Sequence, residues 1–322
     1  MHRYAPTHTA ILDWYATNGR HDLPWRQTHD PYRIYLSEIM LQQTQVATVL
    51  ERFYFPFLER FPMLADVAVA SEDAVLKSWE GLGYYTRARN LHATAKLTSG
   101  VLPKTAAELE ALPGIGRSTA SAIACFAYGE AVPILDANVR RVLYRFFRRR
   151  QADPKTLWQM AERLFDPKHP YEYNQAMMDI GARVCTPQAP DCDACPLSGA
   201  CRGRLAPERY PAPRKKKPKP TRHRTMLIYT DGERYGLRRG DARLLGGLYG
   251  FPQVEAEVIG QRLGRVVHHY SHFALEATVV LTDELPEEAV ALYTLEEIEA
   301  LPLSMADKKA LALLERSIAD SI

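Results

Sequence analysis

The sequence predicts an all-helical domain followed by a small α+β domain, and three observations lead to this fold class. Apolar residues recur at three- and four-residue spacing from Thr7 to about Leu205. A proline-rich, basic segment then covers residues 207–221 and is typical of an extended linker. Beyond it, residues 225–230 alternate as a strand does. We therefore expect a helical domain at residues 1–206, a linker at 207–221 and an α+β domain at 222–322.

Local signals place several elements within these domains. In the helical part, Thr105 with Glu108 three residues later predicts a capped helix start, and Gly129 predicts a helix end. A short apolar run then leads into a helix that begins near Asp136. In the second domain, a turn at 231–232 predicts that residues 235–239 return antiparallel to 225–230. The helical spacing of residues 306–317 predicts a last helix.

Composition and charge narrow the class of protein. The chain has 322 residues, 46% of them hydrophobic, and a formal net charge of +3, which is ordinary for a globular protein of two or three domains. It has neither a signal-peptide pattern nor an apolar segment of bilayer-spanning length, so we expect a soluble, cytoplasmic protein, most simply a monomer. Two basic runs, at residues 140–150 and 214–224, are either solvated surface or contacts to phosphates.

Four of the five cysteines crowd into seventeen residues, Cys185, Cys192, Cys195 and Cys201. A group of four soft ligands can hold a zinc ion or a [4Fe-4S] cluster, and the spacing alone does not decide between them. It differs from the ferredoxin spacing, which favours a structural role over a redox one. The fifth, Cys125, lies on an apolar helix face and is expected to be a core residue.

The segment Leu112–Gly116 links two predicted helices, and Arg117, Ser118 and Thr119 open the second one. Its glycines permit close approach of the backbone to a ligand, and the free amides of a helix start favour an anion. The pattern is that of a hairpin gripping a DNA phosphate, although an ordinary tight turn is the alternative.

Two carboxylates suit the cleavage of a glycosidic bond. Glu38 has apolar neighbours on both sides, which could raise its pKa, whereas Asp136 lies at a helix start, where free amides are expected to lower its pKa. One group could protonate the leaving base while the other stabilises a cationic sugar. Each alone is also explained by an ordinary role, Glu38 as a solvated helix residue and Asp136 as an N-cap.

With these motifs in place, the chain resembles the MutY adenine glycosylases of the helix-hairpin-helix superfamily, almost from end to end. The resemblance is carried by residues 23–26 (LPWR), 36–44 (LSEIMLQQT), 81–85 (GLGYY), 112–120, 133–139 (PILDANV) and the four cysteines. It implies an enzyme that flips adenine out of duplex DNA, where it is paired with 8-oxoguanine or guanine, and an iron-sulfur cluster rather than zinc.

The resemblance also assigns roles to individual residues. Glu38 corresponds to the general acid, Asp136 to the residue that stabilises the cationic sugar, and Asn138 to its polar supporter. Positions that line the adenine pocket are Trp25, Arg26, Gln175 and Ser118, and positions that contact DNA are Gln42, Tyr84, Leu112, Gly114, Gly116, Arg117 and Ser118.

Ser118 separates this chain from the related endonuclease III family, in which the same hairpin position is a lysine that forms a Schiff base and cuts the strand. A serine cannot form that imine. We therefore expect a monofunctional glycosylase. A glycosylase that also cuts the backbone is the first alternative, and a protein that binds mismatches without catalysis is the second.

The C-terminal domain resembles the MutT-like domain of the same family through residues 246–252 (GGLYGFP) and 270–273 (YSHF). The glutamate-rich helix with which MutT hydrolases bind Mg²⁺ is missing, because the stretch directly after Pro252 contains only Glu255 and Glu257. We therefore expect a reader of 8-oxoguanine, with Tyr270, Ser271 and His272 as the recognising residues, since hydroxyl and imidazole groups can donate or accept hydrogen bonds.

Overall fold

The computed structural model describes residues 4–213, 218–240, 245–286 and 290–320. The chain divides into two compact units, and each unit combines two stretches of sequence. The first consists of Met1–Gln43 and Val101–Lys215, and the second of Thr44–Gly100 and Lys216–Ile322. The C-terminal strands therefore share a unit with the helices of residues 44–100.

The described residues up to 213 form helices and no strand, which confirms that this part of the chain is all-helical. Twelve α-helices occur there: α1 Ala5–Asn18, α2 Pro31–Met40, α3 Val46–Arg52, α4 Tyr54–Arg60, α5 Leu64–Val69, α6 Glu72–Ser78, α7 Thr86–Leu97, α8 Ala106–Glu110, α9 Arg117–Tyr128, α10 Ala137–Phe146, α11 Pro154–Leu164 and α12 Pro170–Asp179. Short 3₁₀ turns cover Pro24–Arg26 and Pro207–Arg209, and a π-helical turn, Ile180–Val184, extends α12.

The predicted helix boundaries are confirmed in this part of the chain. The Thr105 hydroxyl accepts a hydrogen bond from the Glu108 amide while the Glu108 carboxylate accepts one from the Thr105 amide, so α8 begins with a capping box. Helix α9 ends at Gly129, which adopts the left-handed conformation with φ of 73°. Asp136 caps α10 by accepting from the Val139 amide at 2.6 Å.

The helical unit holds its core between α1, α10, α11 and α12, whose apolar faces pack on one another. A smaller cluster joins α2 and α9, and Cys125 lies in it, 1% exposed, as expected of a core cysteine. The first part of the proline-rich segment packs onto this unit too. Tyr210 is buried in the core, and the Ala212 amide donates to the Arg150 carbonyl at 2.8 Å.

The strands lie in two sheets of the second unit. They are β1 Thr221–Tyr229, β2 Tyr235–Arg239, β3 Tyr249–Gly250, β4 Gln253–Val254, β5 Gln261–His269, β6 Ala274–Thr282 and β7 Ala291–Tyr293. One sheet has the order β4-β1-β6-β5 and the other β3-β2-β7. Strand β1 is parallel to β6 along its whole length, and β6 is antiparallel to β5. The predicted α+β domain is therefore confirmed.

The predicted hairpin between residues 225–230 and 235–239 is wrong. The turn at 231–232 forms, but only one bridge, between Thr230 and Tyr235, joins the two segments. Both edges of β1 are occupied, one by β6 and the other by β4, so β2 pairs instead with β3 and β7 in the second sheet. A two-residue turn fixes the direction of the chain but not which distant strand pairs with it.

The last helices complete the second unit. Helix α13 spans Leu295–Ala300 and α14 spans Met305–Ala319, which confirms the predicted C-terminal helix. Helix α14 buries Ala306, Ala310 and Leu314 against the four-stranded sheet. In the part of the chain described, no helix is long and apolar enough to cross a membrane.

Candidate active site

Glu38 lies in the third turn of α2, where its neighbours along the chain, Ser37 and Ile39, are both buried. Glu38 as a whole residue is half-buried. Burial and the negative charge of Asp136 raise the pKa of Glu38 to about 7, against a smaller opposing effect of the Arg26 guanidinium. Glu38, Asp136 and Arg26 therefore share one site, and Glu38 can carry a proton at neutral pH.

Asp136 reaches this site from the N-terminus of α10. Its carboxylate accepts from the Val139 amide at 2.6 Å and from Asn138 Nδ2 at 3.2 Å. The expectation that free amides lower its pKa is wrong as a net effect. Burial raises the pKa of Asp136, and the hydrogen bonds and the Arg141 charge only reduce that shift.

A hydrogen-bonded group of polar residues around Arg26 lies beside the two carboxylates. The Arg26 guanidinium forms two hydrogen bonds with the buried Asp179 carboxylate, at 2.7 and 2.8 Å, and the Tyr171 hydroxyl donates to the Arg26 carbonyl at 2.9 Å. Trp25 is buried next to Arg26 in the same short turn. Such a bidentate pair fixes the guanidinium in one orientation.

Gln175 contributes one unsatisfied group to this unit. Its side chain is 3% exposed, yet its Oε1 accepts no hydrogen bond from any described residue. A buried amide oxygen without a partner costs free energy unless a ligand or water supplies a donor. The atom is therefore a candidate contact for a bound molecule.

The hairpin before α9 presents an exposed backbone. Gly114 and Gly116 are exposed, Leu112 and Ser118 are half-exposed, and Gly114 has a φ of 72°. Gln42, which follows α2, donates to the Thr119 hydroxyl at 3.4 Å and so lies beside the start of α9. Arg117 stacks on the Trp158 ring at 3.9 Å and pairs with Glu162 at 2.9 Å. The structure thus brings these predicted DNA contacts together on one surface.

The four clustered cysteines line one small cavity after the π-helical turn, together with the buried Arg145. None of the four forms a disulfide. Burial raises the pKa of Cys195 to about 12, and the neighbouring thiols act in the same direction. Among the described residues, no three His, Cys, Asp or Glu side chains converge closely enough to enclose a single metal ion.

Comparison with known proteins identifies the family. Residues 36–167 match the model of the HhH-GPD superfamily of base excision DNA repair proteins, and residues 224–313 match that of the NUDIX domain. An adenine DNA glycosylase of Rattus norvegicus is 33% identical over 95% of this chain and 77% of its own length. The chain belongs to the adenine DNA glycosylase family.

Two further proteins are similar to this chain. The adenine DNA glycosylase of Buchnera aphidicola from Baizongia pistaciae is 43% identical over 61% of the chain, and the match spans only 57% of that protein. A solved structure described as a thermostable thymine-DNA glycosylase superimposes with a TM-score of 0.57 and 30% identity, over 61% of this chain and 94% of the other.

In this family member, two arginines of the basic run at 140–150 point inward rather than to solvent or phosphate. Arg141 donates to Asn138 Oδ1 at 2.9 Å, to the Gly181 carbonyl at 2.6 Å and to the Cys185 carbonyl at 2.8 Å. Arg145, 3% exposed, donates to the Cys185 sulfur at 3.2 Å and to carbonyls of the cysteine loop. Arg140, Arg148, Arg149 and Arg150 are exposed.

Sequence reasoning missed these inward arginines, as it missed Asp179 and Tyr171. Their partners lie tens of residues away, and an arginine in a basic run carries no local sign of burial. The one available signal was the apolar spacing of α10, which places residue 145 on the same face as Val142. The second basic run, at 214–224, lies partly outside the described residues, because 214–217 are not among them.

The remaining predicted site residues lie in the second compact unit. Tyr84 is exposed, in a loop after α6. Ser271 and His272 are exposed between β5 and β6, and the Ser271 hydroxyl is 2.8 Å from His272 Nδ1. Tyr270 differs from its neighbours, because its ring packs into the domain core and stacks on Phe273 at 4.6 Å.

Proposed function

We propose that this protein removes adenine from duplex DNA by hydrolysing its N-glycosidic bond, where adenine is paired with 8-oxoguanine or with guanine. The observation that carries the proposal is the pair of carboxyl groups in one site, Glu38 with a pKa of about 7 and Asp136 beside it. The names of the relatives support the same reaction. The preference for 8-oxoguanine and the absence of strand cutting belong to the proposal.

Glu38 acts as the general acid. With a pKa of about 7, a large fraction of the carboxyl is protonated at neutral pH, and the proton can pass to a nitrogen of the five-membered ring of adenine. Adenine then leaves as a neutral base rather than as an anion. The glycosidic bond breaks with its electron pair moving onto the base, and a cationic sugar remains.

Asp136 stabilises that cation. Its carboxylate is fixed by the Val139 amide and by Asn138, so the negative charge is in place before the bond breaks. Half-burial strengthens the attraction between the carboxylate and a cationic sugar, because little water screens it. Water adds to the sugar and completes hydrolysis.

The adenine has to leave the stack before these groups can reach it. We assign its pocket to Trp25, Arg26, Gln175 and Ser118. The unsatisfied Gln175 Oε1 suits the exocyclic amino group of adenine, which is a hydrogen-bond donor. Because Asp179 holds the Arg26 guanidinium, this part of the pocket is formed before the base enters.

Ser118 supports a monofunctional enzyme, because its hydroxyl cannot form the imine through which a lysine would cut the strand. The exposed hairpin of Leu112, Gly114, Gly116 and Arg117 suits a phosphate, and Gln42 and Tyr84 suit contacts within the base stack. Ser271 and His272, both exposed, are the groups we assign to 8-oxoguanine, and Tyr270 supports them from the core.

We assign the four cysteines to a [4Fe-4S] cluster, which the resemblance of the chain implies. Their side chains line one cavity together with Arg145, and four cysteine thiolates are the usual ligands of such a cluster. Arg145 would then hydrogen-bond the Cys185 ligand. A cluster held by these four residues would tie the loop of residues 185–201 into one rigid structure.

Metal analysis tests the cluster proposal directly. Protein purified without air should be brown, should absorb visible light as iron-sulfur proteins do, and should contain about four irons per chain. Stoichiometric zinc in protein expressed with ample iron would contradict it.

The excision assay tests the whole proposal. Duplexes with adenine opposite 8-oxoguanine, guanine or thymine are incubated with the protein and analysed with and without later alkali. We expect cleavage only after alkali, and faster excision opposite 8-oxoguanine than opposite guanine. Strand cutting without alkali, with borohydride trapping, would favour the lyase alternative, and binding without any excision would favour a mismatch-binding protein.

A further inference from the structure

The loop that carries Tyr84 is held in a strained conformation. Tyr84 has a φ of 51°, in the left-handed region that a side chain rarely adopts, while its ring is 43% exposed. The Arg87 guanidinium lies 5.3 Å from that ring and donates to the Gly83 carbonyl at 3.1 Å. Such a conformation persists only where its surroundings fix it.

The buried Tyr85 side chain holds this loop in place. It is 7% exposed, and its hydroxyl accepts from the Gly81 amide at 3.2 Å and donates to the Leu303 carbonyl at 3.4 Å. Next to it, Glu80 accepts from the Leu303 amide at 3.1 Å and pairs with Lys308 at 2.9 Å. The loop of residues 81–85 is thus bonded on both sides to the segment Leu303–Lys308 of the C-terminal domain.

The same segment also supports the loop of residues 270–272. Tyr270 packs against the core cluster that contains Leu303. Its hydroxyl forms a hydrogen bond with the Ser304 side chain and interacts electrostatically with the Asp307 carboxylate. The charge of the Asp307 carboxylate acts on the phenols of both Tyr85 and Tyr270, and the two phenols also interact electrostatically with each other. Ser271 and His272 follow Tyr270 directly in the chain.

We propose that Tyr85, through Leu303–Lys308, couples the lesion-reading loop at 270–272 to the loop that holds Tyr84, so that recognition of the lesion sets the position of Tyr84 in the DNA stack. Tyr85 is a positioning residue in this scheme, since it touches neither base. The inference rests on the proposed function, because it takes Tyr84 and Ser271-His272 as DNA contacts.

The coupling has a physical basis in the shared segment. Tyr270 packs against the same core cluster as Leu303, and Leu303 forms one hydrogen bond with each side of the Tyr84 loop, through its carbonyl and its amide. Removing the Tyr85 hydroxyl leaves the ring in its buried place but releases the Gly81 amide and the Leu303 carbonyl. The two loops should then respond to DNA independently.

The test uses the full-length protein with Tyr85→Phe, Ser271→Ala/His272→Ala and their combination. We expect Tyr85→Phe to lower the preference for adenine opposite 8-oxoguanine over guanine by about three- to tenfold, the effect of one hydrogen bond. In the Ser271→Ala/His272→Ala background it should have little further effect. The fluorescence of a 2-aminopurine placed beside the lesion measures how far the protein unstacks the neighbouring base. On 8-oxoguanine duplexes, Tyr85→Phe should unstack this base less than the wild type does.

Tyr128→Phe is the matched control. Its hydroxyl also donates to a loop carbonyl, that of Leu102 at 3.2 Å, but in the other compact unit. It should leave the preference and the fluorescence unchanged. Glu80→Gln, which weakens the same contact from its other side, should reproduce the Tyr85→Phe effect and serves as the second variant if Tyr85→Phe is poorly folded.

Additive losses in the combined variant, or equal losses with Tyr128→Phe, would overturn the coupling. A wild-type protein that excises adenine with a clear preference while Tyr85→Phe and Glu80→Gln both leave that preference intact would overturn it as well. In those cases the proposed function stands. A wild-type protein that excises no adenine would instead remove the proposed function.

Discussion

Glu38 and Asp136 divide the chemistry between them, and conservative amides can separate their roles. Glu38→Gln keeps the shape of the side chain but supplies no proton, so single-turnover excision should fall by about 10²- to 10⁴-fold while lesion DNA still binds. Asp136→Asn should lose about 10²- to 10³-fold, because a neutral amide stabilises a cationic sugar poorly. Exposed Glu172→Gln is the control. Near-normal excision by Glu38→Gln would refute its role.

The raised pKa of Glu38 also predicts how stability depends on pH. The folded state holds the proton up to about pH 7, whereas the unfolded chain releases it near 4.5. The folded state therefore loses stability relative to the unfolded chain as pH rises from 4.5 to 7, by up to roughly 3 kcal/mol before solvent screening reduces it. Excision should decline over the alkaline side of the same pKa.

Glu38→Gln removes this cost, so the variant should be more stable than the wild type at pH 8 and nearly equal to it at pH 4.5. Urea unfolding of DNA-free protein at the two pH values measures the difference. Equal stability of the two proteins at pH 8 would show that Glu38 ionises in the folded state without penalty. Active-site residues that destabilise the fold are expected where function requires them.

Residue identity in the site was predictable where the sequence carries a motif, and not where two distant residues pair. Glu38 lies within residues 36–44 and Asp136 within residues 133–139, and the structure brings both to one site. The partners Arg26 and Asp179 are 153 positions apart, and nothing local marks them. The net rise in the pKa of Asp136 was missed for a similar reason, since burial depends on the packed structure.

At the scale of elements, the start of α10 and the π-helical turn are packed directly on each other. Gly181 lies so close to Asn138 that a Cβ on it would come within 2.7 Å of the Asn138 Cβ. Arg141 bonds both elements and the Cys185 carbonyl. The segment that orients Asp136 and the segment that enters the cysteine loop are therefore held by one guanidinium.

Arg141→Gln should weaken both sites at once. It removes the arginine donor of the Gly181 carbonyl and of Asn138 Oδ1, and it leaves the Cys185 carbonyl with Arg145 alone. We therefore expect fewer irons per chain and a slower single-turnover excision rate. Buried groups left unsatisfied cost about 1 to 3 kcal/mol each. Arg140→Gln changes an exposed neighbour of the same type and should alter neither quantity. Loss of iron at an unchanged excision rate would show that the two sites are independent.

The ends of the helices could be predicted from local chemistry, whereas the pairing of the strands could not. Caps such as Thr105 and Gly129 act within one helical turn, so the sequence around them is sufficient. The partner of β2 depends on β4 and β6, because these two strands occupy both edges of β1. Both strands lie outside residues 225–239, so their competition for β1 is not visible there.

In the molecule as a whole, the two compact units do not follow the order of the chain. Helices α3 to α7 precede the hairpin and the cysteine loop in sequence, yet they form one unit with the C-terminal domain. Arg239 pairs with Glu72 and Asp73, and Lys77 donates to the carbonyls of Glu299 and Leu301. Removing the C-terminal domain would therefore strip partners from these helices without touching Glu38 or Asp136.

Cutting the chain after Pro213 tests this division. Both carboxylates, the hairpin and the four cysteines precede the cut, and Tyr210 keeps its buried place, so the fragment should fold and still remove adenine. It should unfold at a lower temperature than the full chain, because α6 and its loop lose the contacts of Leu303 and Lys308.

The same fragment should discriminate poorly between 8-oxoguanine and guanine opposite adenine. It lacks Ser271 and His272, and hydrogen bonds worth roughly 1 to 3 kcal/mol together correspond to a ten- to hundredfold preference. Single-turnover rates on the two duplexes measure that preference. Full-length Ser271→Ala/His272→Ala, which keeps the support of α6, should lose part of the preference while retaining the unfolding temperature. If the fragment and this double variant both kept the full preference, lesion reading would lie in the helices, and the assignment of residues 270–272 would be wrong.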